Sequence, residues 1–408
     1  MAVAGLRGSA QWGTDERPKN FREMILWRDP NGQTPLTALM SKMRTESTND
    51  PEFSWWEEEL KPIRLLTTTA HTTGELVIDI DSGDAQDLVA GDLLLVEATP
   101  VAQATYQFEI VKVVSIASTT QFTVTRGAAG TTAATLADDS YLLRIGSEFG
   151  EGEGSPTAST RNPTKFTNYT QIFKTTYRIT NTAKVTNLRT GDPIKNDKKR
   201  KMFDHSVGLE QAWLFGHKNE DTTGGAVNSK PLRSTGGLFQ FLQEAYDATT
   251  AKTLKIWTTT AVDEDDILDE FHTVFDYNAA GAGNERLILA GNGFLNYLNK
   301  IANSSASTRI NFTGTINLFG MELQKWLTPQ GTFYVKTHPL MNVNSMFKDG
   351  AFIINPAGVR YRPLTTRDTK FQDNIQDNDA DETKGQWMTE AGVEFNHLKT
   401  MKYVGIHV

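Results

Sequence analysis

RNPTKFTNYTQIFKTTYRITNTAKVTNLRTGDPIKNDKKRKMFDHSVGLEQAWLFGHK, residues 161–218, changes character half-way along. Its first half is rich in Thr, Tyr, Phe and Ile and poor in Gly and Pro, a composition suited to strands on a pleated surface. Its second half switches to a helical period. Asp192 can accept hydrogen bonds from the free amides of a helix start, and Pro193 suits the first helical position because it has no N–H to leave unpaired. Beyond them Phe203, Val207 and Leu214 recur on one face, widened by Met202, Leu209 and Trp213. The spacing predicts a helix over 193–218, roughly 38 Å long at about 1.5 Å per residue. A long extended segment feeding one long helix is an unusual plan for a compact enzyme. It suits a subunit that reaches its neighbours.

Upstream, PEFSWWEEELKPIRLLTTT carries a second extended signal. The expectation is that Phe53–Leu66 and Lys165–Asn181 pair as two legs of a long antiparallel ribbon, roughly 40 Å at about 3.4 Å per residue. Between the legs, Thr67–Gly146 holds ten acids against three bases, so this stretch carries −7 of the chain's net −8. Its predicted strands are Glu75–Ile80, Leu93–Glu97, Phe108–Ile116, Gln121–Arg126 and Tyr141–Ile145, separated by SGD, AGD and RGAAGTT turns, the spacing of a small all-β barrel or sandwich. Such concentrated charge favours a module that projects into water. GEGEGSPTAST from Gly150 reads as a flexible return linker.

Residues 1–50 are polar, of mixed charge and broken by Pro18, Pro30 and Pro35, with short apolar patches at Met24–Trp27 and Leu36–Met40. They read as an arm, extendable to roughly 160 Å at about 3.3 Å per residue. Beyond the long helix, AVDEDDILDEFHTVFDYN is an amphipathic helix with acids at its first turn, where the helix dipole favours them. ERLILAG is a buried strand, GNGFLNYLNKIAN a helix, and TGTINLFGMELQKW a hairpin. GTFYVKTHPLM, GAFIINP and GVEFNHLKTMKYVGIHV supply further strands. Mixed short strands and helices indicate an α+β chain.

The 408 residues can bury a large core, and 38% hydrophobic with 22% charged residues is ordinary for a globular protein. No apolar run reaches the 18 or so residues of a membrane span, and MAVAGLRGSAQWGTDERPKN lacks the apolar core and cleavage site of a secretory signal. The absence of cysteine removes disulfides, thiolate nucleophiles and Cys-based zinc sites. No GxxxxGK[ST], HExxH or GxSxG occurs. Asp377, Asp379 and Asp381 are spaced like the start of a calcium loop, but Glu382 replaces the turn Gly and Met388 the bidentate Glu, so a solvated loop is expected. No cofactor or metal is expected. Net charge of −8 opposes a dedicated nucleic-acid binder.

The order of polar arm, FSWWEEELKPIRLL, KFTNYTQIFKTTYRITNTAKVTN, long helix and TGGLFQFL resembles the major capsid (major head) protein of tailed double-stranded DNA phages. It is most similar to the group in which a β module interrupts the ribbon, where NYTQIF-like strings are followed by T-x-A. The TRGAAGTTAAT string also resembles β modules of phage structural proteins. The resemblance implies the Hong Kong 97-type capsid fold. Residues 1–50 become the N-terminal arm, 51–66 and 147–190 the extended loop, 67–146 an inserted domain, 191–260 with 350–408 the peripheral domain and 261–349 the axial domain. Contact candidates toward the adjacent subunit are then Trp55, Trp56, Lys61, Arg64, Lys165, Phe166, Tyr169, Phe173, Lys174 and Arg178. Lys195, Lys198, Lys199, Arg200 and Lys201 form a candidate basic cluster facing the interior.

Further expected partners are hexamers and pentamers of the chain itself, a separate scaffolding protein, a portal, a cement protein and weakly held double-stranded DNA. The expected location is the virion, after assembly in the host cytoplasm. An arm starting at Met1 is short for a fused scaffolding segment, and the Lys and Asn that cross-link in the type member find no match. An encapsulin-like compartment shares the implied fold and differs by its cargo. A hydrolase with an inserted β domain would need a catalytic cluster that the sequence does not offer.

Overall fold

The computed structural model describes residues 45–407 except 59–63, 82–83, 98–107, 161, 187–190, 224–229, 247–252, 259–261, 278–282, 305–311 and 319–320. Residues 1–44 of the expected arm over 1–50 and the candidate Lys61 therefore lie outside the described residues. The chain divides into two compact units, Trp56–Phe166 and the sequence on either side of it.

The first unit is a barrel. Strands β2 (Arg64–Leu66), β3 (Val77–Asp79), β4 (Asp92–Val96), β5 (Ile110–Ile116), β6 (Gln121–Thr125) and β7 (Tyr141–Ser147) form one antiparallel sheet in the order β2-β7-β4-β5-β6-β3. A bridge between Thr67 and Ile80 joins its two edges, with the Asp81 amide donating to the Leu66 carbonyl at 2.9 Å. Closure removes both sheet edges. Alternation along the strands sends Ile78, Leu94, Val111, Val113, Phe122, Val124 and Leu142 inside.

TRGAAGTTAAT gains a physical account here. Arg126 reaches the Glu109 carboxylate through Nε and Nη2, each at 2.7 Å, and both side chains are almost wholly buried. Glu109 also accepts from the amides of Gly127 (3.0 Å) and Ala134 (2.9 Å). Burial would raise this carboxyl, but Arg126 and the two amides outweigh it and hold it below its ordinary value. Gly127 stands at φ +61°, and a Cβ there would lie 2.8 Å from the Thr131 carbonyl oxygen, so glycine is required.

β1 (Glu52–Glu57) pairs with β8 (Thr164–Tyr169), both strands running through the sequence boundaries of the units, and the remaining elements belong to the second unit. A mixed seven-stranded sheet runs β12 (Leu254–Trp257), β21 (Lys402–Ile406), β17 (Gly350–Ile354), β13 (Glu285–Ala290), β16 (Thr332–Thr337), β15 (Met321–Leu327), β14 (Phe312–Leu318). The helices Glu264–His272 and Asn292–Ser304 cover it through Ile267, Phe271, Phe294 and Leu298, packed on Ile288, Trp326, Phe333 and Val404. The first helix starts in a capping box made by Asp263 and Asp266, as its acid-rich first turn suggested. A second sheet places β18 (Val359–Pro363) and β19 (Lys370–Gln372) on one side of β20 (Glu382–Phe395), and β9 (Gln171–Thr180) on the other. The long helix, Pro193–Phe215, has the expected Asp192 cap, whose carboxylate accepts from the Ile194 amide at 2.9 Å. Phe215 at its end joins Phe347 (4.4 Å), within an aromatic cluster that includes Phe239, Phe352 and Tyr403 on the seven-stranded sheet.

The α+β class is as expected; the ribbon is not. Only β1 and β8 pair as its legs. Arg64–Leu66 belongs to the barrel, paired with β7. Gln171–Thr180 pairs with β20 from Gln171 opposite Ala391 to Thr180 opposite Glu382. The reason is the partner's length: at 14 residues β20 runs beyond β18 and β19 and offers a full-length edge on its other side. The expected break at 349/350 is also not made by the strands, since β17 pairs with β13 on one side and with β21 on the other in the same sheet. GAFII and KYVGI are buried at every position, and continuous burial suits a strand covered on both faces.

Candidate assembly surfaces

Two strings read separately in the sequence meet. Asn168 of NYTQIF is fully buried, and its Nδ2 donates to the carbonyls of Val393 (2.8 Å) and Gly236 (3.1 Å). Its Oδ1 accepts from the amides of Gly236 (2.7 Å) and Tyr169 (2.8 Å). All four hydrogen-bonding positions of the amide are used. Gln171 Oε1 accepts from the Thr235 amide at 3.1 Å, extending the clasp across Thr235-Gly236-Gly237. A Cβ on Gly237 would lie 2.6 Å from the Gly216 nitrogen, so the helix end, the Gly-Gly turn and β8 cross where a side chain has no room.

The long helix is fastened through polar groups as well as apolar ones. Its buried positions are His205, Leu209, Glu210, Trp213 and Leu214, all in its second half. His205 lies between Thr175 Oγ1 (3.0 Å) on β9 and Thr389 Oγ1 (2.8 Å) on β20, and burial pushes its imidazole below the ordinary value. Glu210 and His338 meet at 2.8 Å with neither side chain exposed, linking the helix to the residue that follows β16. Hydrophobic periodicity had placed Met202 and Phe203 on the buried face, yet Met202 is exposed and Phe203 half-buried.

The basic run divides. Lys198 pairs with Asp373 (3.2 Å) and sits 4.5 Å over the Phe371 ring, while Tyr177 Oη donates to the same Asp373 at 3.0 Å. Lys201 pairs with Asp204 at 3.1 Å. Lys195, Lys199 and Arg200 are solvent-exposed.

The contact candidates divide in the same way. Trp55 is a correction: it is 6% exposed, stacked on Phe53 and tilted against Phe241, so it belongs to its own subunit's core. Trp56, on the opposite face by strand alternation, is 62% exposed. Arg64 is held by the Glu97 carboxylate and lies 3.6 Å over the Tyr141 ring. Arg178 forks onto Glu382 of β20. Lys165 and Lys174 are exposed, and Phe166, Tyr169 and Phe173 are half-buried.

Sequence reading missed how the arm is anchored. Thr45–Thr48 runs parallel to β18, with the Glu46 amide donating to Tyr361 O (3.0 Å) and the Thr48 amide to Pro363 O (2.9 Å). Glu46 then spans Arg362 (3.0 Å) and Arg360 (3.1 Å). Partial burial would raise its carboxyl, but Arg362 and then Arg360 outweigh this and hold it below the ordinary value.

The family described as SU10 major capsid protein matches residues 6–404, almost the whole chain. The chain belongs to the SU10 major capsid protein family. It is a structural protein of a phage shell, a component of the virion. A curated relative, the major capsid protein of Pseudomonas phage PaMx41, is 24% identical over 357 residues, covering 87% of this chain and 80% of the relative. Among solved structures, the capsid of a native GTA particle aligns at 9% identity with a TM-score of 0.49, covering 98% of each chain. That of Mycobacterium phage Bobi aligns at 11% identity with a TM-score of 0.44, covering 96% of each. The α+β class that the sequence implied holds for this SU10-family chain.

Proposed function

We propose that the chain is the repeating subunit of an icosahedral head that encloses double-stranded DNA, assembling as hexamers and pentamers of itself. One observation carries this reading. The β1–β8 pair has no third strand among the described residues and carries Trp56 at 62% exposure. A two-stranded sheet is marginal alone in water, and an exposed indole is a large apolar surface awaiting cover. An adjacent copy supplies both. β9 is likewise paired only with β20 among the described residues, leaving an open edge ten residues long.

In this reading the seven-stranded sheet is the axial domain that meets its copies around five- and six-fold axes. The long helix with the β9–β20 sheet is the peripheral domain. The acidic barrel faces water on the shell exterior, and a cement protein is a further partner of the shell. Trp56, Lys165 and Lys174 face the adjacent subunit. Lys195, Lys199 and Arg200 touch packaged DNA weakly and without sequence preference. A separate scaffolding protein and a portal complete assembly in the bacterial cytoplasm, and the subunit performs no catalysis.

Negative-stain electron microscopy and light scattering of the protein expressed alone, then with a scaffolding protein, test the proposal. Pentamers, hexamers, tubes or closed shells support it. A chain that stays monomeric and inert in both preparations overturns it.

A further inference from the structure

The acidic barrel carries an apolar band on its outside. Leu76, Val77, Val114, Ile145 and Phe149 are 54, 43, 50, 47 and 42% exposed. The strand registers place them side by side. Val77 on β3 lies opposite Thr123 of β6, and Thr123 lies opposite Ser115 of β5 across a bulge that turns Val114 to the same face. The next strand brings Gly91, whose amide donates to the Val113 carbonyl at 2.8 Å. The Phe149 ring covers Gly91, and a Cβ there would lie 2.6 Å from it. A second bulge, opposite Leu93 and Leu94 of β4, turns Ile145 of β7 outward. The band thus crosses five neighbouring strands, roughly 20 Å at about 4.8 Å each.

Carboxylates bracket it. Glu75 and Asp79 flank Val77 at one end, and Glu148, Glu151 and Glu153 surround Phe149 at the other. Lys112, the base on this face, is paired with Glu148 at 3.7 Å. A second copy's band would bring like charge against like, and phosphates would be repelled in the same way. The complement is an extended segment with apolar residues between two cations.

The chain contains one. Residues 1–44 hold seven bases (Arg7, Arg17, Lys19, Arg22, Arg28, Lys42, Arg44) against four acids (Asp15, Glu16, Glu23, Asp29), a net +3 opposite the module's −7. Within them Met24-Ile25-Leu26-Trp27 stands between Arg22-Glu23 and Arg28-Asp29, and an extended chain would put Arg22, Met24, Leu26 and Arg28 on one face and Glu23 and Trp27 on the other. Seven extended residues span about 23 Å, the length of the band. We propose that Arg22–Arg28 of the arm docks on this band, with its arginines against the two carboxylate groups. Residues 29–44, between this segment and the anchor on β18, can span up to about 55 Å.

The cysteine-free sequence makes the test direct. Full-length protein carrying L26C with V114C is oxidised mildly beside an L26C/D138C control, Asp138 being exposed elsewhere on the barrel. The proposal expects the first pair to link at least about tenfold faster, and a marked slowing when Glu75→Lys and Glu148→Lys are added. A monomer-sized or a dimer-sized product both support docking and tell whose arm is bound. Equal rates for the two pairs, no link, or faster dimerisation through V114C alone overturn it. The inference rests on the arm serving assembly. Particles counted by electron microscopy in the same samples separate the two, since shells without the link leave the shell reading standing.

Discussion

Asn168 shows how much one side chain can hold. Removing it leaves the amides of Gly236 and Tyr169 and the carbonyls of Gly236 and Val393 without their partner in a buried place. At about 1–3 kcal/mol for a stranded buried polar group, with partial relief by water, Asn168→Ala is expected to lower stability by about 3 kcal/mol. Urea unfolding followed by tryptophan fluorescence checks this. His205 makes a different prediction. Burial keeps its folded form neutral below its ordinary value, whereas the unfolded chain takes up a proton near pH 6.5. Its contribution is therefore complete above that pH and is lost as pH falls from about 6.5 toward the lower folded value. His205→Gln should cost about 1 kcal/mol at pH 8 and flatten the fall in melting temperature between pH 6.5 and 5. An unchanged slope in the variant would assign the acid sensitivity to other groups.

Among the elements, the barrel is the most self-contained. Its strands pair only with one another, and its ladder closes at Thr67 and Ile80. Replacing residues 67–146 by a short Gly/Ser bridge is expected to leave a cooperative thermal transition for the remainder, measured by calorimetry. Loss of that transition would mean that the core depends on the insertion. The barrel's strands were legible from alternation and the glycine turns between them, although only β4–β5 and β5–β6 join strands adjacent in sequence. The long helix was legible from Asp192 and Pro193 at its start, although it ends at Phe215 with Gly216 as its cap, short of the expected 218. The partner of β9 was not, because Thr, Tyr and Ile announce a strand without naming which distant edge receives it. His205 and Glu210 escaped for a related reason. A polar residue on a buried face makes sense only once Thr389 and His338, 184 and 128 residues away, are in place. Trp55 and Trp56, both expected to face the adjacent subunit, lie on opposite faces of β1, and which face Phe241 covers is tertiary information.

For the whole molecule the arm is the deciding segment. It is pinned at Thr45–Thr48 to β18 and clamped by Glu46 between two arginines. Deleting residues 1–44 should leave the subunit folded but should abolish closed particles in sedimentation and electron microscopy. Normal shells from the shortened chain would remove the arm from assembly. Glu46→Ala should weaken the anchor by no more than about 1 kcal/mol, because the pair is half-exposed and screened, and the effect should shrink in high salt. The adjacency of β2 and β7 has a separate consequence. The chain enters and leaves the barrel through two strands paired antiparallel, so the host sees an interruption only two strands wide whatever is carried between them. A segment mounted in this way is a genetic cassette. Lineages can enlarge, exchange or discard it without redesigning the shell, and the exposed turn at Asp138–Asp139 offers a natural place to display a foreign peptide.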